Sequence, residues 1–314
     1  MTNTEGVTRH KTVLLNEAIE GLFAPQKAGN EKLIVVDGTF GGGGHSLEIC
    51  KKNPGVKIIA LDQDKGVFIK AKSKFKELGC DISFHEANFR NLDKVLGAEL
   101  PFGSSAPKTV NGIILDLGLS SDQLQSSGRG FSFMRDEPLI MTMKENPTPS
   151  DVTAYEVVNT WGEESLADVI YGYGEERQAR RIAGAIAKAR KKQEIKTTFD
   201  LVKVIEEAIP ARFRKSKIHC ATKTFQAIRI AVNDELGALS EGLEKGFQTL
   251  KEGGRMSVIS FHSLEDRIVK RFFKKQANEK KAILISKKPI TAGKEEIKNN
   301  SRARSAKLRI IQKI

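Results

Sequence analysis

Leu33-Ile34-Val35-Val36-Asp37-Gly38-Thr39-Phe40-Gly41-Gly42-Gly43-Gly44-His45 is the stretch that decides the fold. Its aliphatic start reads as a buried strand, Asp37 ends it, and the glycines lead into helical spacing from His45 to Lys52. Strand, glycine turn and helix open a doubly wound sheet, where glycines let the backbone pass close to a ligand. No Gly-Lys-[Ser/Thr] follows, so the loop is not a triphosphate cradle. Nor does it fit a dinucleotide fingerprint: starting G-x-G-x-x-G at Gly42 puts Leu47 at the last glycine, and starting at Gly41 puts Ser46 there. A carboxylate just before the loop suits a cationic ligand instead. S-adenosylmethionine carries an ammonium and a sulfonium, and is the ligand expected.

Outward from this stretch, apolar runs alternate with helical periodicity, the pattern of a parallel sheet covered by helices. Further strands are read at Lys57 to Leu61, Asp81 to Phe84 and Gly112 to Leu115, with helices at Leu14 to Phe23, Lys65 to Leu78 and Asn91 to Leu96. Pro101 to Lys108 has loop composition. After Ser121 the strand signal stops. Helices are read at Asp151 to Trp161, Glu163 to Tyr171, Glu175 to Lys192, Phe199 to Ala208 with Thr198 as its cap, Thr222 to Leu236 and Ala238 to Leu250. Strands return at Arg255 to Ser260 and Lys307 to Gln312. The expectation is an α/β chain with a Rossmann-like sheet domain over residues 1–122 and 221–314, interrupted by an all-helical insertion over 123–220 that would recognise substrate.

The chain has 314 residues, of which 39% are hydrophobic and 29% charged, a balance that excludes disordered and fibrous classes. Its purely aliphatic runs fall far short of the ~20 apolar residues that span a bilayer, so no membrane segment is expected. The N-terminus lacks the basic start and apolar stretch of a secretory signal, and a cytoplasmic location is expected. Three cysteines, Cys50, Cys80 and Cys220, with no C-x-x-C spacing, argue against a disulfide framework and against a zinc ribbon. His10, His85 and His219 lack partners at ligand spacing apart from the adjacent Cys220, so no metal is expected. Net charge is +13, and it is uneven: residues 265–314 hold 16 Lys+Arg against 5 Asp+Glu, and residues 177–223 hold 14 against 4. Two basic stretches on an otherwise acidic chain point to a polyanion, with nucleic acid the leading partner and a solvated lysine-rich surface the plain alternative.

Acidic residues recur where the strands end. Leu61-Asp62-Gln63-Asp64 sets a carboxylate where doubly wound folds hold a ribose. Asp62 is the better candidate, and Asp64 could instead cap the following helix. Asp116-Leu117-Gly118 does the same after the fourth strand. His262, directly after the Met256 to Ser260 strand, lies on the same edge and is read as either structural or catalytic.

These residues sit within runs that resemble one family. His10-Lys11-Thr12-Val13-Leu14-Leu15, Asp37 to Ser46, Asp116-Leu117-Gly118-Leu119-Ser120-Ser121, Arg129-Gly130-Phe131-Ser132-Phe133, Tyr173-Gly174-Glu175-Glu176-Arg177, Thr222 to Ala227, Ser260 to Arg267 and Ser301 to Arg309 are similar to the RsmH (MraW) family. The resemblance covers nearly the whole chain. It implies a class I S-adenosylmethionine-dependent methyltransferase that methylates the exocyclic N4 of a cytosine in the decoding region of bacterial small-subunit ribosomal RNA, as free RNA or in the 30S particle. It assigns cofactor contacts to Gly43, Gly44, His45, Asp62, Phe89, Asp116 and Gln123. The sequence departs from the family at Ile140 and Thr142, where Asp and Arg are usual, and at Cys220, where proline is usual.

Such chemistry needs the amino nitrogen in line with the sulfonium methyl, with no covalent enzyme intermediate, and an acceptor for its proton. Asp116 and His262 are the candidate catalytic residues. Phe131 and Phe133 are candidates for stacking the base, or equally for anchoring the insertion; Arg177, Arg181, Arg302 and Arg304 are candidates for phosphate contacts. Two rivals stand beside this reading. A DNA amino methyltransferase should show a Pro-Pro-aromatic motif after the fourth strand, and none is present. A ribosome-assembly factor with a vestigial pocket would bind RNA and not the cofactor.

Overall fold

The computed structural model describes residues 12–23, 32–99, 109–120, 123–124, 127–214 and 218–314. His10, Lys11, the Pro101 to Lys108 connection, Ser121 and Asp122 lie outside the described residues. The chain divides into two compact units, Met1–Gly118 with Gly237–Ile314, and Leu119–Leu236.

The first unit is the doubly wound sheet. In chain order its elements are α1 (Leu15–Leu22), β1 (Ile34–Asp37), α2 (Gly44–Lys52), β2 (Lys57–Asp62), α3 (Lys65–Glu77), β3 (Asp81–Glu86), a 3₁₀ turn (Phe89–Asn91), α4 (Leu92–Glu99) and β4 (Val110–Asp116). The strand order is β3-β2-β1-β4-β5-β7-β6, with β5 at Leu250–Ser260, β6 at Ala282–Leu284 and β7 at Lys307–Lys313. Strands β1 to β5 pair in parallel, while β7 runs antiparallel to both β5 and β6. Ile58, Ile59, Ala60 and Leu61 are all fully buried, because a central parallel strand is covered on both faces and cannot alternate. The β1 run Ile34 to Asp37 pairs with Lys57 to Ala60 on one side, and Val35 to Asp37 with Gly112 to Ile114 on the other. Asp37, Asp62 and Asp116 thus all stand at the carboxyl edge of one sheet.

The second unit is helical: α5 (Ala154–Thr160), α6 (Glu163–Gly174), α7 (Ala179–Arg190), α8 (Thr198–Ala208), α9 (Ala211–Arg214) and α10 (Thr222–Asn233). The unit's core gathers Ile170, Ile182, Ile186, Leu201 and Ile205 with Phe225 and Ile228 of α10. By packing there, α10 belongs to the helical unit, whose edge falls at Leu236 and not near residue 220. The α8 cap is Thr197, whose side chain accepts from the Asp200 amide in a capping box. Thr198, expected from the sequence as the cap, is instead buried inside the helix, donating its hydroxyl to the Arg135 carbonyl at 2.7 Å.

The chain then returns to the first unit through α11 (Glu235–Thr249), β5, α12 (Ser263–Asn278), β6, α13 (Lys294–Asn299), a 3₁₀ turn (Ser301–Ser305) and β7. Three elements here, α12, β6 and α13, and the 3₁₀ turn are not read from the sequence pattern. A second departure is covalent. Cys50, in the last turn of α2, and Cys80, after α3, form a disulfide with Cα atoms 5.9 Å apart. Counting cysteines cannot reveal it, because thirty residues of chain separate two positions that the fold makes neighbours. Cys220 is free. No helix among the described residues is long and apolar enough to cross a membrane.

Candidate active site

The glycine loop is held from beneath by the strand ends. The Gly38 amide donates to the Ile114 carbonyl at 3.0 Å, and the Phe40 amide to the Leu61 carbonyl at 2.9 Å. Phe40 is buried against Phe68, Phe75 and Phe84. Gly43 stands at the N-terminal end of α2 with φ +70, and a Cβ there would lie 2.6 Å from Phe40 Cζ. The glycine is therefore required by the aromatic cluster and the left-handed backbone, not only by a ligand. Thr12 fills the space a Gly44 Cβ would need.

The acid pair after β2 divides its work. Asp62 accepts the Gly41 amide on Oδ2 at 2.7 Å and the Asp64 amide on Oδ1 at 2.9 Å, fixing the carboxylate at the mouth of the loop. Asp64 caps α3 through the Gly66 amide at 3.0 Å. Burial raises the Asp62 carboxyl above its ordinary value, and the Asp64 and Gly41 amides pull it partly back.

Deeper in, three acids and an imidazole converge from different elements. Asp37, 2% exposed, accepts from Ser46 Oγ at 2.6 Å and from the Thr39 amide at 3.2 Å. Burial lifts its carboxyl to about 6. The Thr39 hydroxyl accepts the Asp116 amide at 2.6 Å. Asp116 Oδ2 lies 3.7 Å from Nδ1 of buried His45, and its Oδ1 is buried with no hydrogen-bond partner among the described residues. Burial, with Asp37 and Glu265 repelling, holds the Asp116 carboxyl well above the usual range. Buried carboxylates stay protonated unless a positive charge joins them. A positive charge brought beside these carboxyls would favour their ionised form.

Glu265 is a site residue that the sequence pattern alone does not single out. It is 3% exposed in the first turn of α12, where Oε2 accepts the Phe261 amide at 2.8 Å and the His262 amide at 3.2 Å. His262 is the α12 N-cap: Nδ1 accepts from the Glu265 amide, and Nε2 stands 3.2 Å from Glu265 Oε1. The histidine thus orients a buried acid. Its signal is the three-residue spacing of a capping box, with histidine in the place of serine or threonine.

Phe89, expected near an adenine, turns its ring toward α11: a Cβ on Gly242 would lie 2.5 Å from Phe89 Cδ2. It is a part-buried core residue.

The remaining candidates belong to the helical unit or to the 3₁₀ turn before β7. Gln123 is buried and its Oε1 accepts the Ser120 amide at 2.9 Å, closing a local turn. Phe131 is 7% exposed in the helical core, with Arg129 above its ring at 5.4 Å. Phe133 packs on His219 at 4.9 Å and on Phe225 at 5.0 Å. Phe131 lies in the core of the helical unit, the anchoring alternative that the sequence leaves open, while Phe133 is part-buried at its edge. Thr142 is also buried, and its carbonyl, with that of Met143, receives Arg129, which makes the departing loop part of the same core. Arg177 and Arg181 are exposed. Arg304 is exposed, whereas burial lowers the half-buried Arg302 guanidinium from its ordinary value.

The model of the MraW methylase family matches residues 7–314. The chain is 44% identical to a ribosomal RNA small subunit methyltransferase H of Sulfurihydrogenibium sp. (strain YO3AOP1), over 98% of this chain and 100% of that one. It is 43% identical to a protein of the same name from Limosilactobacillus fermentum, over 97% and 98%.

Proposed function

Because the chain belongs to the MraW methylase family, we propose that it methylates the exocyclic N4 of a cytosine in the decoding region of bacterial small-subunit ribosomal RNA. The fold is that of a class I methyltransferase, a seven-stranded sheet with one antiparallel strand inserted near its edge. The cofactor is S-adenosylmethionine. When bound, it supplies an electrophilic methyl group on a cationic sulfur. The observation that supports the cofactor reading is the buried acid cluster Asp37, Asp116 and Glu265, whose ionised form a cationic group such as a sulfonium would stabilise and a pyrophosphate would not.

Asp62 would hold the ribose hydroxyls with the lone pairs its two amide contacts leave open, and Gly43, Gly44 and His45 would shape the wall beside it. Asp116 Oδ1 is the acceptor for the N4 proton: it is buried and unpartnered among the described residues, and a cation that offsets its acidic neighbours would favour the ionised form able to take a proton. His262 acts through Glu265 and not on the substrate. The helical unit recognises RNA, with Arg177 and Arg181 contacting phosphates, and Arg304 does so from the sheet unit. The enzyme works in the cytoplasm, on free ribosomal RNA or on the 30S particle.

The test is incubation of the full chain with methyl-labelled cofactor and either an unmodified small-subunit ribosomal RNA transcript or 30S particles, followed by nucleoside analysis. Label in N4-methylcytidine is expected. Label in another nucleoside, or none with either substrate, overturns the reading. Calorimetry showing no cofactor binding would favour the assembly-factor alternative.

A further inference from the structure

The buried acids explain a cationic cofactor but not how a polyanion is held beside them. The C-terminal strands do not supply the answer, because their cations are already engaged. Lys307 and Arg309 both pair with Asp266, at 3.2 and 2.7 Å, and Lys313 donates to the carbonyls of Gln248 and Leu250.

Helix α12 is different. Its inner face is fixed to the sheet by buried Leu264, Val269, Phe273 and Gln276. Its outer face carries Arg267, Lys270, Arg271, Lys274 and Lys275, all exposed. Spacings of three and four residues put these side chains on one stripe. Lys270, Arg271 and Lys274 have no carboxylate partner among the described residues. The stripe begins just past Glu265, the residue that repels Asp116 within the buried cluster, and runs about 12 Å along the helix at 1.5 Å per residue. One helix therefore carries a buried acid at its start and a row of cations along its exposed side.

We propose that the outer face of α12 is the track on which the backbone of the substrate RNA lies, its phosphates against Lys270, Arg271, Lys274 and Lys275. This rests on the RNA-methylation reading above. Charge complementarity selects the occupant: a row of exposed cations with no aromatic between them on that face fits phosphates and does not read bases. A track starting at the acid cluster would lead a strand past the reacting centre.

The experiment compares four forms of the full chain: wild type, K270Q/R271Q/K274Q/K275Q, the charge-keeping K270R/K274R/K275R, and a control K72Q/K74Q/K76Q/K94Q that removes the same charge from exposed positions elsewhere on the sheet unit. Each is measured for affinity to an unmodified small-subunit ribosomal RNA transcript across a salt series, for cofactor affinity, and for methyl transfer. The α12 neutralisation is expected to raise the RNA dissociation constant tenfold or more. It should flatten the salt slope by roughly 0.7 for each phosphate of a single strand that the protein no longer neutralises. Cofactor affinity should stay within twofold, and the arginine form and the control should stay near wild type. Equal losses in the α12 and control variants would reduce the effect to bulk charge and overturn the proposal, as would a wild-type slope in the α12 variant. If wild type binds and methylates RNA while the α12 variant does so equally well, only the track is lost. If wild type does neither, the RNA reading falls and takes the track with it.

Discussion

Asp62 Oδ2 accepts the Gly41 amide at 2.7 Å, so the acid that ends one strand also holds the glycine loop that follows its neighbour. Asp62→Ala should weaken S-adenosylmethionine binding by about 1 to 3 kcal/mol, the range for hydrogen bonds to a charged group. Asp64→Ala should instead cost about 0.5 to 2 kcal/mol of stability through the missing cap, with cofactor affinity kept. Titration calorimetry and thermal melts on both variants check this; the opposite pattern would exchange the roles of the pair.

Gly43→Ala places a Cβ against Phe40 at a left-handed residue. It should destabilise the fold by about 1 to 2 kcal/mol for the backbone, with about 1 to 3 kcal/mol more for overpacking. A Phe40→Leu background should recover the packing part only. If Gly43→Ala melts like wild type yet fails to bind cofactor, the position faces the ligand and not the aromatic cluster.

Asp37 gives stability a pH dependence whose sign is opposite to that of a salt-bridged acid. Its folded carboxyl titrates near 6, above the ordinary value, so the unfolded chain gives up the proton first. Its favourable contribution is complete below about pH 4 and is lost as pH rises through about 6, amounting to about 3 kcal/mol. Urea unfolding of wild type and Asp37→Asn across this window should give curves that differ most steeply between pH 4 and 6. Cofactor affinity of the wild type should rise over the same window, as a cation recruits the ionised form. Parallel stability curves would show that Asp37 does not titrate there.

His262→Asn keeps an N-cap acceptor, whereas His262→Ala removes it. If the histidine orients Glu265, the asparagine variant should retain stability and most of its methyl-transfer rate, and the alanine variant should lose about 0.5 to 2 kcal/mol. A rate that collapses equally in both, with folding intact, would make the imidazole itself catalytic.

Phe131→Leu should lower stability while leaving the affinity of the folded protein for RNA within twofold, because the ring lies in the helical core. A tenfold loss of RNA affinity at unchanged stability would restore the stacking role.

The sheet is legible because buried parallel strands announce themselves as aliphatic runs. Leu33 to Val36, Lys57 to Leu61 and Gly112 to Leu115 each match a strand to within a residue or two. The acidic strand ends are legible for the same reason, since a strand's end fixes where its next side chain stands. What escapes a linear reading are relations across the chain. Glu265 faces Asp116 only because β5 pairs with β4. Phe131 and Phe133 give no sign of direction, since an aromatic in a loop faces core or solvent according to neighbours far away in sequence. The α12 helix is hidden by its charge: a basic C-terminal stretch looks like a tail, and its cations mask the Leu264, Ile268, Val269, Phe272 and Phe273 pattern among them.

The interruption of the sheet also governs the order in which it can be built. Strand β4 ends at Asp116, and its partner β5 begins at Leu250. A ribosome adding 5 to 20 residues each second needs roughly 7 to 27 seconds to cover that interval. Throughout it the outer edge of β4 has no strand to close it, and an open edge invites foreign strands. The helical unit, Leu119–Leu236, is synthesised whole within the same interval. A nascent chain released at residue 236 would carry that unit complete and the sheet half made, so vectorial synthesis finishes the insertion before the domain that contains it.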